Sequence, residues 1–406
     1  MPSLNGKEGR VGFRKDDFFN GKEGWMITFI LRNYTMIPDN ITNILSKTAE
    51  WKDEEIATLC DFFNKDNRAI TDEEWMEGFQ GISQKVIGKS PNEKIVQLMS
   101  DVASSFHESS PRSFFPYQQM THDCAIASLM VKKKEDFLKY VQAHLYNAMA
   151  QITPDSTNQS MDYYSFRGIT SYSINEITNE QISLAHPRSF NDPLDTLLNW
   201  RISNEIKNFS GKSLEEQEFI LQLKKATEHI KMRCLIGAKK KAGDNLTDVY
   251  VEDLPVLMWS HYANSHKGMC VKYRFKKDFF KEYMVGSKEL LFICPVIYEE
   301  NLQQAGNQKR LMGNELLIKS KDWEYENEKR MIFYSMPDAS GDIKSNVSEF
   351  PMLDCKGAIQ SIYLGVKCSD ADVRLVEKAI GDKDIQLFKM EIDSNNPTRL
   401  KPIRIG

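Results

Sequence analysis

From residue 23 to residue 155 apolar side chains recur at spacings of three and four, the period of helices that bury one face. Trp51–Phe63 carries Ile56, Leu59 and Phe63 on one stripe. Thr71-Asp72-Glu73-Glu74 offers a reciprocal cap ahead of Trp75 and Phe79. In Ser90-Pro91-Asn92-Glu93 the serine can accept from a first-turn amide, the proline stands where a missing N–H is harmless, and the glutamate can reach back. The pattern predicts a helix from there toward Phe106 and another over Glu135–Ala150. The polar, turn-rich stretch Thr153–Ser160 then interrupts the period and marks a domain boundary.

Beyond it the period alternates between two and 3.6. Tyr163–Arg167 reads as a strand, Ser173–Gln181 as a short helix, and Ile182–Ala185 as extended chain before Pro187. Helices are predicted over Pro193–Asn208, Leu214–Met232 and Val256–His266, the last ending near Gly268. Met269–Phe275, Leu291–Tyr298, Arg330–Tyr334, Ile359–Leu364 and Ile385–Ile392 read as strands, with a helix capped by Ser369-Asp370-Ala371-Asp372 between the last two. The expected fold is α+β: a loose arm over 1–22, a helical domain over 23–155, and a mixed-sheet α+β domain over 156–406.

Composition narrows the class. The 406 residues are 41% hydrophobic, and 53 Lys+Arg against 57 Asp+Glu leave a net charge of −4, which excludes a whole-chain basic field for nucleic acid or anionic membrane. A local basic patch stays open. No stretch approaches the roughly 18 apolar residues of a membrane span, the best being Trp25–Leu31 and Leu290–Ile297. Met1–Lys22 lacks a secretory or transit pattern. The seven cysteines, odd in number and without a CxxC pair, point to reduced thiols rather than a disulfide framework or zinc ribbon. A soluble cytoplasmic protein is expected.

Three segments hold polar residues where a fold gains little from them. In the first, Arg167 stands on an aromatic strand and would aim a guanidinium at a carboxylate or phosphate; the alternative is an edge arginine in water. Asn191-Asp192-Pro193 nearby is either helix-start chemistry or a rigid loop at a cleft. The second segment, Met258–Gly268, packs His261, His266, Tyr262, Trp259 and Ser260 together. On a helix the two histidines lie about 140° apart, which disfavours zinc, while Tyr262 and His266 share a face suited to a flat, polar-edged ligand such as a base. The alternative is a core helix with satisfied imidazoles.

The third segment, Lys319–Arg330, places Glu324, Glu326, Glu328 and Arg330 on one side of an extended chain, whereas on a helix Glu326 and Arg330 would pair as part of a solvated face. As an E-x-E at a cleft, its second carboxylate would stabilise a cation or take a proton. Nucleophile elbows, Walker phosphate loops and dinucleotide fingerprints are absent from the sequence.

Tyr164-x-x-Arg167, Ser189-Phe190-Asn191-Asp192-Pro193-x-Asp195, Met258-Trp259-Ser260-His261-Tyr262 with His266-x-Gly268, and Trp323-x-x-Glu326-x-Glu328-x-Arg330 together resemble the bacterial domain-of-unknown-function family 2971, over about Met161–Ile403. The helical first third lies outside the resemblance. Where the family tends to have a Cys-Phe-Ser strand, this chain reads Cys234-Leu235-Ile236-Gly237.

The family's order of elements is in turn similar to the ADP-ribosyltransferase superfamily. That resemblance implies NAD as substrate and a toxin or phage-defence effector whose helical domain engages a protein partner. It implies that Arg167 holds the pyrophosphate or ribose and Tyr262 stacks on nicotinamide. Ser260, Asn191 and Asp192 would complete the cofactor site. Glu328, with Glu326 beside it, would bond the ribose 2′-hydroxyl and stabilise an oxocarbenium-like transition state, while His261 and His266 orient cofactor or acceptor. No metal is expected. Two other readings stay open: a non-catalytic nucleotide or nucleic-acid binding module, and a metal-assisted nuclease using Glu326, Glu328, Asp192 and the two histidines.

Overall fold

A computed structural model of the chain describes residues 37–47, 50–63, 70–87, 92–110, 113–152, 162–190, 195–237, 239–240, 246–247, 251–283, 288–301, 313–336 and 351–406. The first part is helical: α1 (Asp39–Ser46), α2 (Asp53–Phe63), α3 (Asp72–Val86), α4 (Glu93–Ser109), α5 (Phe114–Met130) and α6 (Lys134–Ile152). The reciprocal cap of α3 forms, with Thr71 N donating to Glu74 Oε2 at 2.8 Å and Glu74 N to Thr71 Oγ1 at 3.3 Å. Helix α4 is capped by Asn92, whose Oδ1 accepts from Lys94 N at 2.9 Å. Ser90 and Pro91 lie outside the described residues, as do the 1–22 arm and the Thr153–Ser160 boundary.

The remainder is α+β. Its strands are β1 (Asp162–Arg167), β2 (Gln181–Ser183), β3 (Ile230–Ile236), β4 (Lys239–Lys240), β5 (Leu246–Thr247), β6 (Met269–Arg274), β7 (Glu289–Pro295), β8 (Ile297–Glu299), β9 (Ile318–Ser320), β10 (Glu328–Ser335), β11 (Met352–Asp354), β12 (Ile359–Leu364), β13 (Gln386–Asp393) and β14 (Asn396–Arg404). Between them lie α7 (Ser171–Asn179), α8 (Leu197–Lys207), α9 (Leu214–Thr227), α10 (Val256–His261) and α11 (Asp370–Ile380). Eight strands form one mixed sheet in the order β14-β13-β12-β6-β1-β3-β10-β7. Only β12 and β13 run parallel within it.

Period-two alternation gives the sheet two apolar faces. On one, Met232, Phe292, Ile332 and Tyr334 pack under the N-terminal helices together with α8 and α9, in one continuous cluster. Farther along that face Tyr164, Ile236, Cys270 and Tyr363 meet Met258 and Trp259 of α10. On the other face Leu235, Val271, Tyr273, Met331 and Phe333 pack against Ile177 of α7 and Val376 and Ile380 of α11.

Three predicted helices differ by more than two residues at one end, and the strand predicted over Leu291–Tyr298 is broken at Val296 into β7 and β8. The helix expected over Leu214–Met232 stops at Thr227, because Ile230, Met232 and Ile236 alternate into the core and period two wins over helical spacing. The helix expected over Val256–His266 stops at His261, since Asn264, Ser265 and His266 take φ of 47°, 53° and 69° and the chain turns left-handed. This turn lies against β1, and Gly268 is needed there: a Cβ would fall 2.3 Å from the Arg167 carbonyl oxygen. The helix expected from Pro193 begins at Leu197.

Candidate functional site

Strand β1 pairs with β6 from Asp162↔Arg274 through Arg167↔Met269, and β3 pairs with β10 from Ile236↔Glu328 through Ile230↔Tyr334. Between β1 and β3, however, the only registered pair is Tyr164↔Ile236. The sheet parts there, and a cavity of about 280 Å³ opens in the gap. Tyr164, Ser165 and Phe166 line it from β1, and Met232 through Ile236 from β3. Ser189, Phe190 and Tyr262 add further walls, and Asp195, Lys319, Glu326 and Glu328 contribute charged side chains.

The charged floor is assembled from four chain segments. Strand β9 delivers Lys319, whose Nζ donates to Glu326 Oε2 at 2.6 Å and Glu328 Oε2 at 2.8 Å. Arg330, wholly buried on β10, donates through Nε to Glu328 Oε1 at 2.8 Å and through Nη2 to both oxygens of Asp195 at 2.6 and 2.7 Å. Its Nη1 bonds the Leu316 carbonyl. Tyr262 closes the ring by donating to Glu326 Oε1 at 2.6 Å. Asn327, at φ 47°, turns the chain between a 3-10 turn (Lys321–Glu326) and β10, so that both carboxylates of the E-x-E reach the same floor. The Glu328 amide donates to Tyr298 OH at 2.8 Å.

These partners set the ionisation. Burial opposes charge on Glu328, but Arg330 and Lys319 outweigh it and hold the carboxyl well below the usual range. Burial likewise opposes charge on Lys319, and the two glutamates overcome it, keeping the ammonium protonated. Asp195 moves the other way: burial raises it, aided by Glu328, against the pull of Arg330 and Lys319. Burial and Glu326 push the Tyr262 phenol up, so it stays a donor. Three carboxylates face two cations in a desolvated site, which favours positive charge arriving on a ligand.

Of the residues expected at the site, the structure brings Tyr262, Glu326 and Glu328 together. It does not bring Arg167 there. Tyr164 and Phe166 face the aromatic side of β1, so by strand alternation Arg167 projects from the opposite face, where it pairs with Glu176 of α7. Ser260 and His266 bond each other at 3.1 Å, and the His266 ring lies parallel to Trp259 at 6.5 Å. Because α10 ends before it, His266 shares no helix face with Tyr262. His261 is exposed and meets Trp323 edge-on at 6.4 Å. Ser260, His261 and His266 are not among the cavity's lining residues. Asn191 and Asp192 lie outside the described residues.

Sequence reasoning missed Lys319, Asp195 and Arg330 as site residues, although all three stand in the segments quoted. Arg330 carried a usable signal, an arginine two residues after Glu328 on one strand face. Lys319 carried none, since its role depends on β9 lying beside β8 rather than in the main sheet. Arg233, also lining the cavity, was hidden by the helix assigned over its strand's start. Among the described residues no three His, Cys, Asp or Glu side chains converge to hold a metal ion. All seven cysteines are unpaired. No helix among the described residues is long and apolar enough to cross a membrane.

With this geometry in place, residues 258–331 match the family described as Protein of unknown function (DUF2971). The match takes in the Met258–Tyr262 motif and both glutamates of the E-x-E; the Tyr164 and Ser189 motifs fall outside it. No curated protein and no solved structure matches the chain, and none of these comparisons supports the likeness to the ADP-ribosyltransferase superfamily.

Proposed function

We propose that the chain is an NAD-consuming enzyme of the ADP-ribosyltransferase or NAD glycohydrolase type, with the nicotinamide riboside end of the substrate in the cavity between β1 and β3. The observation that carries this reading is the meeting of Tyr262, Glu326 and Glu328 on one aromatic-walled cavity with an acid-rich floor. The bond between ribose C1′ and the nicotinamide nitrogen breaks, its electron pair leaving on the nitrogen as neutral nicotinamide. Positive charge then spreads over C1′ and the ring oxygen, and ionised Glu328 stabilises it in a site where preformed charge acts without reorganisation. Water or an acceptor hydroxyl bonds to C1′ and gives up its proton to Glu326, which passes it to solvent. Lys319 and Arg330 keep the carboxylates in place.

The test is incubation of the purified chain with NAD, following nicotinamide release. Wild type is expected to release it, and Glu328→Gln and Glu326→Gln to lose release while remaining folded by circular dichroism. Absence of release with cell lysate supplied as acceptor contradicts the reading. One observation favours a second: Lys319 and Arg330 already occupy both Glu328 oxygens, as in a structural ion network. A non-catalytic nucleotide-binding module fits that arrangement and predicts binding without turnover.

A further inference from the structure

Behind the parted strands the charge balance reverses. Arg233 of β3 lines the cavity and crosses the gap, its Nε donating to Ser165 Oγ of β1 at 3.1 Å. Among the described residues no carboxylate pairs with it, and its Nη2 is buried without a hydrogen-bond partner. Arg167 stands close enough that Arg233, after burial itself, is the largest influence holding its ionisation below the usual value. The single carboxylate identified with the pair is Glu176, which Arg167 engages and which also accepts from Ser183 N at 3.0 Å. Arg167 Nε is a second buried donor without a partner. Arg167 thus has one carboxylate and half-buried Arg233 beside it has none among the described residues, a costly arrangement unless an anion completes it.

We propose that Arg233, with Ser165 beside it and Arg167 behind, forms an oxyanion subsite that takes the phosphate group of a ligand seated in the cavity. Planar guanidinium donors match phosphate oxygens, and a cation bridging two parted strands sits where a ligand in the gap must pass. The subsite deepens the NAD reading, because it supplies the diphosphate contact that Arg167, committed to Glu176, does not. It also gives the ligand a polarity: its phosphate lies toward Arg233 and its developing cation toward Glu328. Inorganic phosphate, pyrophosphate and a nucleoside diphosphate share the required chemistry.

Calorimetric titration of the full chain with inorganic pyrophosphate and with ADP-ribose tests it. Wild type is expected to bind both, with pyrophosphate competing against ADP-ribose and affinity falling as salt rises. Arg233→Gln is expected to weaken ADP-ribose binding by about tenfold or more, the loss of one charge-assisted contact, and Arg233→Lys to recover part of it. Ser165→Ala, which keeps both charges, is expected to weaken binding less and serves if Arg233→Gln fails to fold. Wild-type affinity for ADP-ribose in both Arg233→Gln and Ser165→Ala, or no binding of either anion by wild type, overturns the subsite. Failure of the NAD reading looks different: ADP-ribose binds and depends on Arg233, yet no nicotinamide is released.

Discussion

The two sides of the parted strands carry opposite imbalances. Toward β10 the floor gathers Asp195, Glu326 and Glu328 around Lys319 and Arg330, three acids to two bases, nearly every charged atom in a hydrogen bond. Toward α7, Arg167 pairs with Glu176 while Arg233 has no carboxylate partner among the described residues, and two of the arginines' buried nitrogens have no partner. The first cluster is bonded to itself and the second is incomplete. A fold pays for both by desolvation, but only the incomplete one leaves donors for something else to satisfy. Bonds within the acid floor hold its geometry, while the arginine pair keeps two buried donors unbonded.

Breaking the complete side should cost most. Arg330→Met leaves Asp195 and Glu328 buried without their clamp, so denaturant unfolding should show a loss of about 3–5 kcal/mol, the scale for orphaning buried charge. On the incomplete side, Arg167→Met removes one of two crowded cations as well as a partner of Glu176. Its loss should be smaller, about 1–3 kcal/mol by the same measurement. Equal losses at the two sites would erase the contrast between them.

The acid side also predicts a pH response with a definite sign. Glu328 is held below its unfolded value of about 4.3, so the stability it contributes is fully present above that value and disappears as pH falls toward its folded one. Asp195, raised by burial, acts in the opposite sense and favours the fold as it takes up its proton. In Glu328→Gln the acid-side decline of the melting temperature should be shallower than in wild type. A parallel decline in both proteins would remove Glu328 from the account. The smallest effect is expected at His261→Ala: the side chain is exposed and off the cavity, so stability should shift by no more than about 0.5 kcal/mol.

Much of the fold was legible because local period and capping agreed with it. Ile359–Leu364 appears at its predicted bounds, Ser369 caps α11 by accepting from Asp372 N at 3.2 Å, and Thr71 closes its box with Glu74. Errors fell where tertiary pairing overruled local spacing, as at Ile230–Met232, and where the backbone turned left-handed, as at Asn264–His266. The site was legible in part for the same reason. Glu326, Glu328 and Tyr262 came from dense polar motifs, and the cavity unites them. Arg167 was expected at the cofactor site and lies instead on the opposite strand face against Glu176, because a motif records which residue is present, while strand alternation decides which way it points. Lys319 and Arg233 depended on strands brought together from far along the chain, which no local pattern encodes.

The most direct measurement of the central claim is the nicotinamide resonance followed by proton NMR while NAD is held with wild type and with Glu328→Gln. The account predicts steady growth with wild type and a rate lower by about 100-fold or more with Glu328→Gln, the scale for removing one preorganised electrostatic group. Equal rates in the two proteins, or no free nicotinamide from wild type, would contradict it.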